Sequence, residues 1–272
     1  MQYLGSVMEL FADNLKTELA NSIFSSNIIF KSVLNSTNML GKELASQGAP
    51  EGTFILANEQ TAGRGRMKRV WHSPSGKNLL FSIILRPPDI TPNRVFAMTM
   101  LLALATVEAI LINTGLKAGI KWPNDIYFNN KKLGGILSEF SVFGKKVDYL
   151  VLGLGLNVLW YPEDHNMVLA EATSITKEIG KNVSRKTILL KILDVFNDYY
   201  SQVISGDWAK FYELWNNQSI ILGRRVEIRD NHGSRIYGKA IRIEQDGSLI
   251  LQDKAQRELK ILTGDVSLRL KK

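Results

Sequence analysis

Between Asn93 and Asn113 the chain is apolar at almost every position, with Val95, Phe96, Met98, Met100, Leu101 and Leu102 followed by Leu104, Val107, Ile110 and Leu111. A helix that is apolar on all sides has to be covered on all sides, so the fold must wrap other elements around this one. Gly115 follows where a C-terminal cap belongs, because glycine enters the left-handed region without steric cost. The helix reads as buried core with no chemistry of its own. No run reads as apolar for long enough to span a bilayer, and the N-terminus lacks the basic start, apolar block and cleavage site of a secretory signal. A cytoplasmic location is expected.

The covering material is present. In 272 residues, 45% are hydrophobic and 22% charged, which describes a globular protein with a substantial core. No low-complexity linker interrupts the chain, so one main domain with a small companion is expected. The net charge of +8 favours anionic partners, whether nucleic acid, phosphorylated small molecules or an acidic protein. With no cysteine, disulfides, thiolate nucleophiles and sulfur metal sites are excluded. His72, His165 and His232 stand far apart in sequence, which argues against a histidine metal site.

Val7, Leu10, Phe11, Leu15 and Leu19 recur at helical spacing and predict an opening amphipathic helix. So short an opening leaves no room for a complete three-helix DNA-reading module, and sequence-specific DNA binding is not expected. Ile28 to Val33 reads as a strand that runs into Asn35-Ser36-Thr37-Asn38 and the helical stripe of Met39, Leu40 and Leu44. Ser36 there either caps the helix or meets a ligand. Strands follow over Phe54 to Ala57, Asn78 to Leu85, Leu133 to Glu139 and Val147 to Asn157, the last two joined by a turn at Gly144-Lys145-Lys146 into an antiparallel meander. Glycines inside strands admit a close neighbour, so Gly135, Gly153 and Gly155 are expected to line one groove. No stretch reads as an exposed apolar edge.

Pro162 to Val183 is irregular, with Thr173-Ser174-Ile175 leading into a short helix. Ser184 is expected to cap a long helix from Arg185 to Ser205, and Asp207 a further one holding Trp208, Phe211 and Trp215. From Ile220 onward, short strands alternate with turns such as Asp246-Gly247, which predicts a small barrel of SH3-like type. The domain boundary falls near Gln218, giving residues 1–218 and 219–272.

Three stretches carry chemistry. Gln60-Thr61-Ala62-Gly63-Arg64-Gly65-Arg66 follows a strand, and its glycines let the backbone bend close to an anion while the guanidinium forks reach it. By spacing alone it is equally a solvated turn or a patch for RNA backbone. Trp71 behind it either plugs the sheet or forms an aromatic wall for a flat ligand. In Ile120 to Phe128, Lys121 lies within an apolar strand before Trp122-Pro123-Asn124-Asp125, where a lysine must pair, snorkel or serve a bound anion.

Taken in order with Lys132-Leu133, Gly135-Ile136-Leu137 and Gly153-x-Gly155-x-Asn157, these stretches resemble the biotin protein ligases over roughly residues 28 to 272. The pairing of Gly63-Arg64-Gly65-Arg66 with Lys121-Trp122-Pro123-Asn124-Asp125 is specific where each alone is weak. The resemblance implies an α+β fold, with a class II aminoacyl-tRNA synthetase-like mixed sheet flanked by helices and a small C-terminal SH3-like β-barrel. It implies that ATP and biotin form biotinyl-5'-AMP, and that biotin then passes to a lysine of a biotin carboxyl carrier protein or domain. Lys121, Arg64 and Arg66 would be catalytic, screening the approach of carboxylate to phosphate.

By the same resemblance, biotin would be held by Ser36, Thr37, Asn38, Gln60, Gly63, Arg64, Gly65, Arg66, Lys121, Gly135 and Gly153. The nucleotide would be held by Arg64, Arg66, Trp71, Lys121, Asn124, Lys132 and Asn157. Mg²⁺ is expected with ATP, its protein ligands unassigned; Asp125 either ligates it or holds the turn at Asn124. Homodimers through the main sheet's edge occur in the family. Met67-Lys68 departs from the family pattern, where a glycine often stands, and is expected to stiffen the loop. The alternatives are a lipoate or medium-chain acyl ligase of the same fold, or a nucleic-acid-binding protein using the positive charge.

Overall fold

Ile28–Leu34 (β1) and Phe54–Gln60 (β2) run parallel, Ile28 opposite Phe54 and Leu34 opposite Gln60, because the helix Thr37–Ser46 (α1) carries the chain back between them. The structure, a computed structural model, describes residues 15–25, 27–159, 172–229, 234–262 and 264–267. Asn78–Leu85 (β3) is buried at every position, as its almost unbroken apolar run requires of a central strand. It pairs antiparallel with β2 on one side and with Lys146–Asn157 (β7) on the other.

Beyond β7 come Lys131–Phe143 (β6), Asp125–Phe128 (β5) and Gly119–Lys121 (β4), all antiparallel, which completes a seven-stranded mixed sheet in the order β1-β2-β3-β7-β6-β5-β4. Asn129 and Asn130, both at positive φ (46° and 62°), make the tight turn between β5 and β6. Past Ile136 the outer edge of β6 pairs with no strand among the described residues, and Phe140, Val142 and Phe143 stand exposed there, Phe143 by 84%. The sequence reading found no apolar edge; the length mismatch between β5 and β6 creates one.

The apolar helix Val95–Thr114 (α2) ends at Gly115, whose φ is 75° and whose N–H reaches Leu111 O at 2.8 Å. With its leading turn from Pro92 it spans 23 residues, and its most apolar 18-residue stretch has a mean hydropathy of 2.3, making it long and apolar enough to cross a bilayer, contrary to the sequence reading. In the fold, 78% of that apolar stretch is buried, largely by the main sheet and the helix Arg185–Ile204, labelled α4 below. Leu15 and Leu19 form one helical turn in the same core, while Val7, Leu10 and Phe11 lie outside the described residues.

Ile175–Ile179 (α3) is capped by Ser174, which accepts from Lys177 N, and Arg185–Ile204 (α4) by Ser184, which accepts from Thr187 N at 3.2 Å. Ala209–Gln218 (α5) begins instead at Trp208 with no side-chain cap. Asp207 lies one residue too early for that role and pairs with Lys210 at 3.6 Å. His165, His232 and Leu268 lie outside the described residues.

Arg225–Arg229 (β8), Arg235–Ile243 (β9), Leu249–Gln252 (β10), Glu258–Ile261 (β11) and Asp265–Ser267 (β12) form an antiparallel sheet in the order β11-β10-β9-β8-β12. Among the described residues this sheet is open, with β11 and β12 at its edges. It is tied to the main body by Trp122 Nε1, which donates to Gly247 O at 2.8 Å, and by Ile220 N, which donates to Ile120 O at 2.9 Å.

Candidate active site

The ends of α1, β2, β6 and β7 and the loop from Gly63 to Trp71 surround a cleft of about 120 Å³. Its floor is neutral and hydrogen-bonded. Gln60 Oε1 accepts from Thr37 N at 2.7 Å, so the first turn of α1 is capped from β2 rather than by its own N-cap residue. Ser36 occupies the N-cap position but makes no side-chain cap bond, and it lines the cleft. Thr37 Oγ1 lies 3.1 Å from Gln60 Oε1 and 2.8 Å from Ser82 Oγ.

The rest of the lining is largely cationic and aromatic. The loop is closed on itself: Gly65 N donates to Arg69 O at 2.8 Å, Trp71 N donates to Gly63 O at 2.9 Å, and Arg64 bridges Val70. Met67 sits at its turn with a φ of 54°, a left-handed conformation that glycine would adopt more readily. Arg66 Nη1 donates to Asn124 Oδ1 at 3.2 Å, and Asn124 is itself held on β6 by two bonds with Ile136. Burial pushes the Arg66 guanidinium below its ordinary value, while the carboxylates of Asp265 and Asp125 pull it back up. Asp265 arrives from the second sheet and forms an ion pair with Arg69.

Lys132 Nζ lies 2.7 Å from Asp125 Oδ1 and 5.6 Å from the centre of the Trp71 ring. Trp71 lies against Gly155, and its indole Nε1 is buried with no hydrogen-bond partner among the described residues. Gly135 leaves space for the Lys132 side chain, since a Cβ there would come within 3.2 Å of Nζ.

The cleft therefore gathers Ser36, Thr37, Asn38 and Gln60 with Arg64, Gly65 and Arg66, and it also takes in Trp71, Asn124, Lys132, Gly135 and Gly153. Gly155 lines it too, as the groove expectation had it. Three of the expected site residues are not in its lining. Gly63 packs against the backbone of Trp71. Asn157 is buried with Nδ2 donating to Thr173 O at 3.0 Å. Lys121 Nζ donates to Tyr127 Oη at 3.2 Å and lies over the Tyr127 ring, across the β4–β5 hairpin from Asp125.

Sequence reasoning passed over Ser82, Asn78, Arg69 and Asp265. Ser82 was detectable as a polar residue inside an apolar strand. Asn78 is buried with both side-chain amide atoms unpartnered among the described residues, at the β3 position that faces Asn157. Asp265 carries no local signal, because only the packing of the second sheet brings it to Arg69.

Comparison with known proteins decides the family. Residues 30–157 match the Biotin/lipoate A/B protein ligase family, and residues 221–269 match the Biotin protein ligase C terminal domain. The chain is 35% identical to the Bifunctional ligase/repressor BirA of Bacillus subtilis (strain 168), over 96% of this chain and 79% of that one. The chain belongs to the biotin protein ligase family.

This ligase is also 31% identical to the Biotin--[acetyl-CoA-carboxylase] ligase of Paracoccus denitrificans, over 83% of this chain and 94% of that one. Among solved structures, the biotin protein ligase from Aquifex aeolicus in complex with biotin and ATP superposes with a TM-score of 0.76 at 30% identity, covering 90% of this chain and 99% of that one. The match to the C-terminal domain model is specific to biotin, whereas the first model spans lipoate enzymes as well, so the lipoate alternative is not favoured.

Proposed function

We propose that this biotin protein ligase condenses biotin with ATP in the cleft between α1 and the Gly63–Trp71 loop, then hands biotin to a lysine of a carrier protein. The observation that supports this reading is the cleft's mixed lining: neutral hydroxyl and amide residues, Ser36, Thr37 and Gln60, share one cleft with arginines, Lys132 and Trp71. A ureido ring is neutral and takes neutral donors and acceptors, while a triphosphate and an adenine take cations and an aromatic face.

In the first step a biotin carboxylate oxygen attacks the α-phosphorus and the bond to the bridging oxygen of the β-phosphate breaks, releasing pyrophosphate. Anion approaches anion, so fixed cations lower the barrier by stabilising charge that develops in the transition state. Arg64, Arg66 and Lys121 take that role in this reading, with Lys132 and Asn157 serving the nucleotide. In the second step the carrier amine attacks the acyl carbonyl and AMP leaves.

In this reading the loop opens to admit substrates and closes over the adenylate. Closure keeps water from the mixed anhydride.

Both carboxylates lining the cleft are already paired, Asp125 with Lys132 and Asp265 with Arg69. No group of three acidic or histidine side chains that could hold a metal occurs among the described residues. Mg²⁺ accompanying ATP would be held mainly by phosphate oxygens, where it would neutralise charge; no protein ligand is assigned to it. The second sheet is read as an SH3-like barrel beginning near Gln218, and the enzyme as working in the cytoplasm on a biotin carboxyl carrier protein.

Purified protein with ATP and biotin should form biotinyl-AMP, detected by mass, and label a carrier domain. Activation of lipoate in place of biotin would overturn the substrate, and activation of neither would overturn the reading.

A further inference from the structure

Ser82 lies in the middle of β3, fully buried, and no step above uses it. Its Oγ stands 2.7 Å from Asn38 Oδ1 and 2.8 Å from Thr37 Oγ1. Each hydroxyl carries one proton, so the direction of these bonds can be counted. Asn38 Nδ2 gives its two protons to Leu137 O and Glu139 Oε2, each 3.1 Å away, and both of those oxygens only accept. Glu139 is held in turn by Lys42 at 2.9 Å. The Asn38 amide cannot turn over, so its oxygen faces Ser82.

Ser82 must then donate to Asn38, which leaves Thr37 to donate to Ser82. The competing acceptor, Gln60 Oε1, is farther from the Thr37 hydroxyl at 3.1 Å and already takes the Thr37 N–H at 2.7 Å. With its proton committed to Ser82, Thr37 Oγ1 has only lone pairs to offer the cleft. Gly153 makes the arrangement possible, because a Cβ there would fall 1.8 Å from Asn38 Oδ1.

We propose that Ser82 is a positioning residue that sets the hydrogen-bond polarity of the pocket: it holds Thr37 as an acceptor, which selects a ligand presenting an N–H at that point. This rests on the reading that places the biotin ureido ring beside Thr37. The chain of donors runs one way, from ligand N–H through Thr37, Ser82 and Asn38 to Glu139. Without the Ser82 hydroxyl, the Thr37 proton is released to face Gln60 or the cleft, and Thr37 can donate as well as accept.

The test compares biotin with the two N-methylbiotins, each lacking one ureido N–H, by calorimetry and by pyrophosphate release with the full chain. The unaltered protein should prefer biotin over one of the analogues by about tenfold or more, the usual cost of opposing a buried acceptor with no donor. Ser82→Ala should shrink that ratio to within about threefold and raise KM for biotin with kcat within about twofold. Ser82→Thr keeps the hydroxyl and should restore the ratio.

Full discrimination retained by Ser82→Ala overturns the proposal. If the unaltered protein does not discriminate at all, the placement of biotin beside Thr37 has failed and the proposal falls with it. Should the threonine variant not fold, Ser82→Cys supplies a second measurement: its thiol is only a weak donor and weak acceptor, so discrimination should fall there too; unchanged discrimination counts against the proposal.

Discussion

The indole of Trp71 lies so close over Gly155 that a Cβ built on the glycine would fall 2.5 Å from Cε2. A methyl group there has no room, so the ring must move. Gly155→Ala is expected to raise the KM for ATP about tenfold or more while biotin affinity changes less, as read by steady-state kinetics and by Trp fluorescence. Overpacking should destabilise the fold by about 1–3 kcal/mol, which thermal unfolding measures.

Lys121 Nζ bonds to Tyr127 Oη at 3.2 Å in the structure and sits across the hairpin from Asp125. Its proposed work appears when carboxylate and phosphate meet. Lys121→Ala should slow formation of biotinyl-AMP by about 10²–10³, the usual loss when one preorganised charge-stabilising group is removed. The melting temperature should change little. Normal single-turnover rates in this variant would end its catalytic assignment.

Arg69 and Asp265 join the loop to the second sheet across a largely exposed ion pair. Such pairs are worth about 0–1 kcal/mol, too little to matter for global stability. Their effect should be on the loop: Asp265→Asn is expected to leave the unfolding midpoint within error and to raise the rate at which biotinyl-AMP is lost to solvent several-fold. Equal retention of the adenylate in both proteins would show that the pair does not help hold the loop shut.

Asp246 in the β9–β10 turn responds to pH. Burial acts to raise its carboxyl, but bonds from Lys260 and from the Ser248 hydroxyl and N–H outweigh it and bring the pKa to about 2. A carboxyl depressed in the folded state contributes stability above its unfolded pKa of about 3.9 and loses it as pH falls through the folded value. Denaturant midpoints should therefore drop between pH 4 and about 2, and Asp246→Asn should flatten that slope. Identical slopes would remove Asp246 from the account.

Much of the chain's local structure was legible. Strand β3 was placed at Asn78–Leu85 without error, because a run of apolar residues bounded by turns encodes its own burial. The glycine caps and the Ser174 and Ser184 caps follow from the same short-range chemistry. The turn read at Asn124 falls in the break between β4 and β5, since Trp122-Pro123 restricts the backbone just after Lys121. The misplaced Asp207 cap was an error of one residue, within the usual scatter of helix ends.

The sequence by itself determined which segments become helix and strand, and its paired arginine and lysine motifs marked the family. Only the tertiary structure decided which side chains meet. The register of β3 between β2 and β7 sets Ser82 beneath Thr37 and Asn38, more than forty positions away in the chain, and the docking of the second sheet brings Asp265 to Arg69. Periodicity and propensity are local quantities, whereas hydrogen-bond direction depends on atoms that strand order brings within 3 Å of one another. For that reason a serine that reads as one polar residue in an apolar strand becomes, in the fold, the group that gives the Thr37 hydroxyl its direction.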